Sequence, residues 1–182
     1  MELVVVKRTS PQLLEEMKRH YSQPKGFVGR NICYAIMVDG HCYGHIVAGS
    51  ATRFLPGRNA FLGVECLKNL NKIANNIFYH VEPKNGEYPE RNFTTKVLKV
   101  FEKKVVEDWK QKYGDELIAL ETLVELPRTG ECYRRAGWTK VGQTKGYTCK
   151  RVAGKGTDNW TGKRVWDTKN LRPKLCFLKK IK

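Results

Sequence analysis

Residues 117–146, LIALETLVELPRTGECYRRAGWTKVGQTKG, decide how this chain is read. Leu117 to Val124 form a near-continuous apolar run broken only by Glu121 and Thr122, the pattern of a strand buried on both faces near the middle of a sheet. Pro127 to Gly130 supply a turn, Glu131 to Ala136 a short helix, and Gly137 leads into a further strand over Trp138 to Gln143. The segment therefore reads strand, turn, short helix, strand.

Before it lies the clearest helix. Phe93, Val97, Phe101, Val105, Trp109 and Tyr113 recur every four residues, with Leu98 and Val106 on the adjoining stripe, and Gly114 ends the run. A Pro/Gly/Glu loop (82–92) precedes the helix, and Lys72 to Val81 read as a strand with an unusually polar centre at Asn75-Asn76. Ligand contact is one account of the asparagines, a bulge bonding its own backbone the other. Residues 52–71 are irregular, with one helical turn expected at Cys66 to Leu70. At the start, Leu3 to Val6 suit a strand, and Ser10-Pro11 open a short helix marked by Leu13, Leu14 and Met17 that ends near His20. Asn31 to Val38 and His41 to Ala51 form a hairpin about Asp39-Gly40. The expected order, β α β β β α β α β, is a mixed α/β sheet whose last strand is Trp138 to Gln143.

The 182 residues suffice for one ordinary domain and carry 34 Lys plus Arg against 18 Asp plus Glu, a net charge of +16. Residues 150–182 hold 11 basic and 2 acidic side chains, so +9 of that charge falls in the last 33 residues. With 41% hydrophobic and 10% aromatic residues the chain is globular rather than disordered, and polyanions become the leading partners, nucleic acid ahead of an acidic membrane. No run approaches the roughly 20 apolar residues of a membrane span, and MELVVVKRTS is too short and too acidic for a signal peptide. The six cysteines include no C-x-x-C pair, so free thiols in a reducing, cytoplasmic setting are expected.

The junction Cys132-Tyr133-Arg134-Arg135-Ala136-Gly137-Trp138 followed by Val141-Gly142, set in this order of elements, resembles the GNAT acyltransferase superfamily. The longer string from Thr129 to Gly146 is similar to the Mom family of phage DNA-modification proteins and to a related domain of anti-phage and mobile-element proteins. His20-Tyr21-Ser22 and Arg91-Asn92-Phe93-Thr94-Thr95 resemble segments of that family in the same order. The resemblance implies a GNAT-like, mostly antiparallel sheet flanked by helices over residues 1–150, with 151–182 a basic, Trp-containing extension packed on or beside it. It further implies an enzyme that adds a small acetamido-like group to a base amine of phage DNA, adenine first, protecting it from restriction in a bacterial host. An acetyl-CoA-type donor is implied, with iron as the metal to test for. The alternatives are an ordinary CoA-dependent N-acetyltransferase acting on a protein or small amine, and a non-catalytic nucleic-acid-binding or phage-defence component.

Under that resemblance Tyr133 is the expected general acid beside a leaving thiolate, against the alternative of a core tyrosine packed on Trp138 or Trp109. Glu121 and Glu125, four apart on a strand, share a face. Glu125 is the expected base or metal ligand, against an ion pair with Arg128, Arg134 or Arg135. His20 is the expected base or ligand among four histidines, His41, His45 and His80 reading as ordinary. Arg91, Asn92, Thr94 and Thr95 occupy the turn where the superfamily binds the CoA pyrophosphate, but without its glycines, which leaves a plain helix cap as the rival reading. Tyr21, Ser22, Arg134, Arg135, Lys145, Lys163 and Arg164 are the expected DNA contacts, and Trp160, Trp166 and Phe177 interleave with the basic tail, as stacking platforms or as core.

Overall fold

The computed structural model describes residues 1–63, 65–152 and 163–181. The chain runs β1 (Glu2–Val6), α1 (Pro11–Arg19), β2 (Asn31–Val38), β3 (His41–Ser50), α2 (Arg58–Leu62), a 3₁₀ segment (Cys66–Lys72), β4 (Ile73–Val81), α3 (Phe93–Tyr113), β5 (Ala119–Glu125), α4 (Glu131–Arg135), β6 (Thr139–Gln143), β7 (Thr148–Val152), β8 (Lys163–Asp167) and β9 (Lys174–Lys180). Seven strands form one sheet in the order β1-β2-β3-β4-β5-β9-β6, and β7 and β8 form a separate hairpin. Every neighbouring pair is antiparallel except β4–β5, which are parallel because the long α3 crossover joins them. The mixed, mostly antiparallel sheet expected from the sequence is the one observed. Trp160 lies outside the described residues.

Alternation along the strands divides the core. Ile32, Tyr34 and Ile36 of β2 join Phe93, Val97, Leu98, Phe101, Val105 and Trp109 of α3 on one face. Cys33, between them, packs with Leu13 and Met17 of α1 and with Phe27, Val47 and Phe78 on the other. Burying a large side chain such as Phe101 is worth about 1.5–3 kcal/mol, so the four-residue stripe of α3 is what holds it to the sheet. Trp109 also donates its Nε1–H to the Asn71 carbonyl at 3.2 Å, and the Tyr113 hydroxyl bonds Asn31 at both backbone groups, accepting from its N–H at 2.8 Å and donating to its carbonyl at 2.9 Å.

The end of the chain differs from expectation. The strand after Gly137 forms the edge of the sheet but is not its last strand in chain order. β9 pairs antiparallel with β5 (Leu120↔Lys179 to Glu125↔Lys174) and with β6 (Thr139↔Leu178), so it lies between them. Leu175, Cys176, Phe177 and Leu178 are buried there, flanked by Lys174, Lys179 and Lys180. The extension is basic, and its apolar centre completes the sheet, Phe177 being core as one of the two readings held. Lys163 and Arg164 open β8, where they pair with Val152 and Arg151 of β7.

Candidate active site

β4 and β5 are paired only from Ile73↔Ala119 to Asn76↔Thr122. At that point β4 carries a bulge: Val47 of β3 opposes Phe78 while Ala48 opposes Asn76, leaving Ile77 as the extra residue. Beyond it the two strands part. A cavity of about 710 Å³ opens between them, walled by Asn76 to Val81, by Thr122 to Val124, and by the segment from Pro127 through Tyr133. Arg19, His20 and Tyr21, at and just after the end of α1, close another side.

Tyr133 comes into this cleft on α4, a five-residue helix. Its ring packs edge-on against Trp138 (5.2 Å between centroids) and flat against Phe177 (5.9 Å). It is thus both a core ring and a cleft residue. Burial pushes the phenol's pKa well up, the Thr122 hydroxyl opposing, so Tyr133 keeps its proton at neutral pH. Thr122 donates in turn to the Asn76 carbonyl at 2.9 Å. The Asn76 carboxamide is the least satisfied group in the wall: buried, it has no hydrogen-bond partner among the described residues for either Oδ1 or Nδ2. Neighbouring Asn75 turns away and donates to Thr52 Oγ1 at 3.0 Å. The bulge therefore accounts for the backbone at the paired asparagines, but not for the Asn76 side chain.

His20 is buried between Tyr21 and Phe78, with ring centroids 4.1 and 4.6 Å away. Its Nδ1 meets Ser22 Oγ at 2.8 Å and accepts from the Ser22 N–H at 3.3 Å, while its other side bonds the Tyr79 backbone. Burial, helped by His80, brings its pKa down to about 4. It is a neutral ring with both nitrogens engaged, and the H-Y-S segment acts here as a brace between α1 and β4. Tyr21 lies under the Arg128 guanidinium, 3.5 Å from the ring centroid. His80 was read as ordinary in the sequence. In the structure it faces the cleft with Nε2 2.8 Å from Glu82 Oε1, and Glu82 also takes Arg19 at 3.0 Å. The H-V-E spacing at a strand end was the available signal, since a histidine oriented by a carboxylate is a recurrent base.

Glu125 is not brought to Tyr133. Glu121 and Glu125 share a face, as their spacing predicts, but it is the face opposite α3 and α4. Glu121 accepts from the Thr52 N–H at 2.6 Å and pairs with buried Arg58 at 2.8 Å. Glu125 pairs with Arg172 at 2.7 Å and Lys174 at 3.7 Å, none of them an expected partner. Arg134 and Arg135 cannot reach it. Both project into solvent and chelate Glu131 at 2.6 and 2.8 Å, bringing that carboxyl down to about 2. Glu125 lines a second cavity of about 490 Å³ with Phe54, Lys145, Tyr147, Arg172 and Lys174.

Arg91, Asn92, Thr94 and Thr95 do not line the 710 Å³ cleft; they form the entry to α3, tied to it where Tyr79 donates its hydroxyl to the Thr94 carbonyl at 2.7 Å. Asn92 is left-handed (φ 58°, ψ 27°), and its side chain does not cap the helix. The conformation a glycine would supply is thus provided by asparagine, the residue that best tolerates it. The Asn92 Oδ1 accepts instead from Arg135 at 3.4 Å.

A sheet that splits after a bulge in β4, with the crossover helix and the short tyrosine-bearing helix on one face, defines the GNAT acetyltransferase fold. Two solved structures with TM-scores above 0.5 share the fold. An acetyltransferase of Bacillus subtilis in complex with CoA matches over 100% of this chain and 99% of its own, at 10% identity and a TM-score of 0.58. AAC(6′)-Ib in complex with paromomycin and acetyl-CoA matches over 98% and 92%, at 12% identity and 0.55. With the coenzyme A complex of the same aminoglycoside acetyltransferase the match covers 82% of this chain and 66% of that one, at 13% identity and 0.48, so the chain spans about two thirds of that relative's length. No protein-family model and no curated protein matches the sequence. No helix among the described residues is long and apolar enough to cross a membrane.

Proposed function

We propose that this chain is an acyltransferase that moves an acyl group from a coenzyme A donor to an amine bound in the β4–β5 cleft. The observation that carries the proposal is the cleft wall, where a protonated buried phenol stands beside a buried carboxamide that lacks partners among the described residues. An orphan buried amide costs about 1–3 kcal/mol, a cost relieved when a ligand supplies both a donor and an acceptor.

Coenzyme A fits the residues present. Its amide-bearing arm suits the parted edges of β4 and β5 and the Asn76 carboxamide, and its pyrophosphate suits the uncapped N-terminus of α3 with Arg91 beside it. Thr94, half-buried, offers a hydroxyl at the same turn, whereas Thr95 is buried. When bound, the donor supplies an activated thioester carbonyl and a thiolate leaving group. Tyr133 holds a proton at Oη for a departing sulfur. With Nε2–H directed at Glu82, His80 presents Nδ1 to take the proton an amine sheds on attack. His20 keeps the walls in register.

For the acceptor, the finer reading is a base amine of DNA, adenine first, as the Mom-like resemblance implies, in a phage or mobile-element setting. The second cavity supports it: Lys145, Arg172 and Lys174 surround exposed Phe54 and Tyr147, cations for phosphates next to rings on which an unstacked base can rest. Glu125 orders this wall by holding Arg172 and Lys174. Iron has no assigned place in the cleft.

The test incubates the chain with labelled acetyl-CoA and, separately, duplex DNA, single-stranded DNA, a polyamine and a lysine peptide, following thiol release and the labelled product by mass spectrometry. Label on a DNA nucleoside is expected, with Tyr133→Phe lowering turnover about 100-fold. Label only on peptide or polyamine keeps the transferase and removes the DNA acceptor. Thiol release with none of them overturns the proposal.

A further inference from the structure

We infer that Glu16, Cys42 and His45 form a site for a divalent transition metal of zinc type, on the α1 face of the sheet and apart from the cleft. A regular strand would not place Cys42 and His45 together, because residues three apart point to opposite faces. The β2–β3 register shows why they do here: Met37 opposes Cys42 and Ala35 opposes His45, so Ile36 faces two residues, Tyr43 and Gly44. This bulge returns the strand to the same face one residue late. Gly44 makes it feasible, having φ 139°, a conformation that disfavours side chains, and a backbone so close to His80 that a Cβ would lie 2.1 Å from its carbonyl oxygen.

Above this face lies α1. Its buried stripe, Leu13 and Met17, also contains Glu16, an unlikely residue for a packed helix face unless something meets its charge. Glu16 Oε2 lies 2.8 Å from His45 Nδ1. One ligand atom from each of Glu16, Cys42 and His45 falls within 4.8 Å of the others. His45 is wholly buried, and its Nε2 has no partner among the described residues. The hydrogen bond to Glu16 therefore accounts for only half of this imidazole. A cavity of about 330 Å³ lined by Glu15, Glu16, Arg19 and Cys42 gives entry and room for a fourth ligand.

Thiolate, imidazole and carboxylate are a borderline-soft set that suits Zn²⁺, with bonds of about 2.3, 2.0 and 2.0 Å. Ligands about 3.3–3.6 Å apart would serve such an ion, a separation reached by a slight opening of the Glu16–His45 pair and a turn of the Cys42 side chain. Charge balances. The Glu16 carboxylate and the Cys42 thiolate offset the two charges of the ion; the thiol, which now donates to the Gly44 carbonyl at 3.5 Å, gives up its proton, and the proton that His45 Nδ1 now shares with Glu16 must leave that nitrogen, Nε2 carrying the proton of the neutral, ligating imidazole. The ion would pin α1 to β3, and with it the His20 brace of the cleft.

Chelator-treated protein titrated with Co²⁺ tests this. The expected result is one ion per chain, with a thiolate-to-cobalt charge-transfer band and the d–d absorption of a tetrahedral site, both lost on adding Zn²⁺, and a raised Tm with either metal. Cys42→Ser should remove the charge-transfer band and Cys132→Ser should leave it. Glu16→Gln, which preserves a hydrogen bond to His45, should weaken Co²⁺ about tenfold or more, and decides the matter if Cys42→Ser fails to fold. Absence of the band in the wild type, its survival in Cys42→Ser, or unchanged affinity in Glu16→Gln overturns the inference.

Discussion

The two faces of β5 bury polar groups in opposite ways. Toward α3, Thr122 stands with Asn76 and Tyr133 around the cleft, neutral groups among which an entire carboxamide is left without partners among the described residues. On the other face Glu121 is a buried charge, bonded to the Thr52 amide and to Arg58, whose guanidinium also donates to the Thr52 and Arg53 carbonyls at 2.7 and 3.0 Å; the Arg58 Nε and the neutral Asn75 Oδ1 lack partners there among the described residues, but both carboxylate oxygens are bonded. A face built for stability satisfies its charges internally, because an unpaired one is too costly. A face that leaves neutral donors and acceptors open does so at lower cost and keeps them for a ligand.

The contrast can be broken most forcefully on the charged face. Glu121→Ala should cost about 3–5 kcal/mol, read as a fall in denaturant midpoint, because it strands Arg58; the double change Glu121→Leu with Arg58→Met should recover most of it. Equal stability of the single variant and the wild type would mean that the pair is not buried. Next in size is the effect of pH at the cleft wall. The His20 pKa is lowered in the fold to about 4, so between about pH 6.5 and 4 the unfolded chain binds more protons there. Its contribution is complete above about pH 6.5 and is lost as pH falls to about 4, up to about 3 kcal/mol in all. In His20→Gln the stability profile should be flatter across that window, and an unchanged slope counts against a neutral buried ring. Smallest is the effect expected on the open face. Asn76→Ala should leave stability within about 1 kcal/mol of the wild type or raise it, while acetyl-CoA binding by calorimetry weakens; a marked loss of stability would show that the carboxamide is satisfied after all.

Much of this was legible in the residues. The four-residue stripe of α3, the hairpin at Asp39-Gly40 and the strand–helix–strand passage around Gly137 are local patterns, and each forms where the spacing places it. Spacing also put Glu121 and Glu125 on one face, but it could not say which, so the ion-pair partners came from Arg172 just before β9, from Lys174 in it and from Arg58 in α2 rather than from the nearby arginines. β9 itself was hidden because its four apolar residues sit among lysines and its pairing with β5 joins distant parts of the chain. Tyr133 was found through a local motif. The H-V-E spacing of His80 and Glu82 is too short a pattern to tell a cleft pair from an ordinary surface one, and the Glu16, Cys42, His45 cluster is hidden because a bulge converts a spacing of three into a shared face.

The place of β9 bears on how the molecule assembles. β5 and β6 are joined by a short passage through α4, yet neither pairs with the other, and each waits for a strand that follows some thirty residues after β6. Loop closure of that length must precede any reward from the new pairings, so docking of 174–180 is the expected late, rate-limiting event. Until it occurs two unpaired strand edges stand open, and the intermediate should be the species most prone to self-association during refolding.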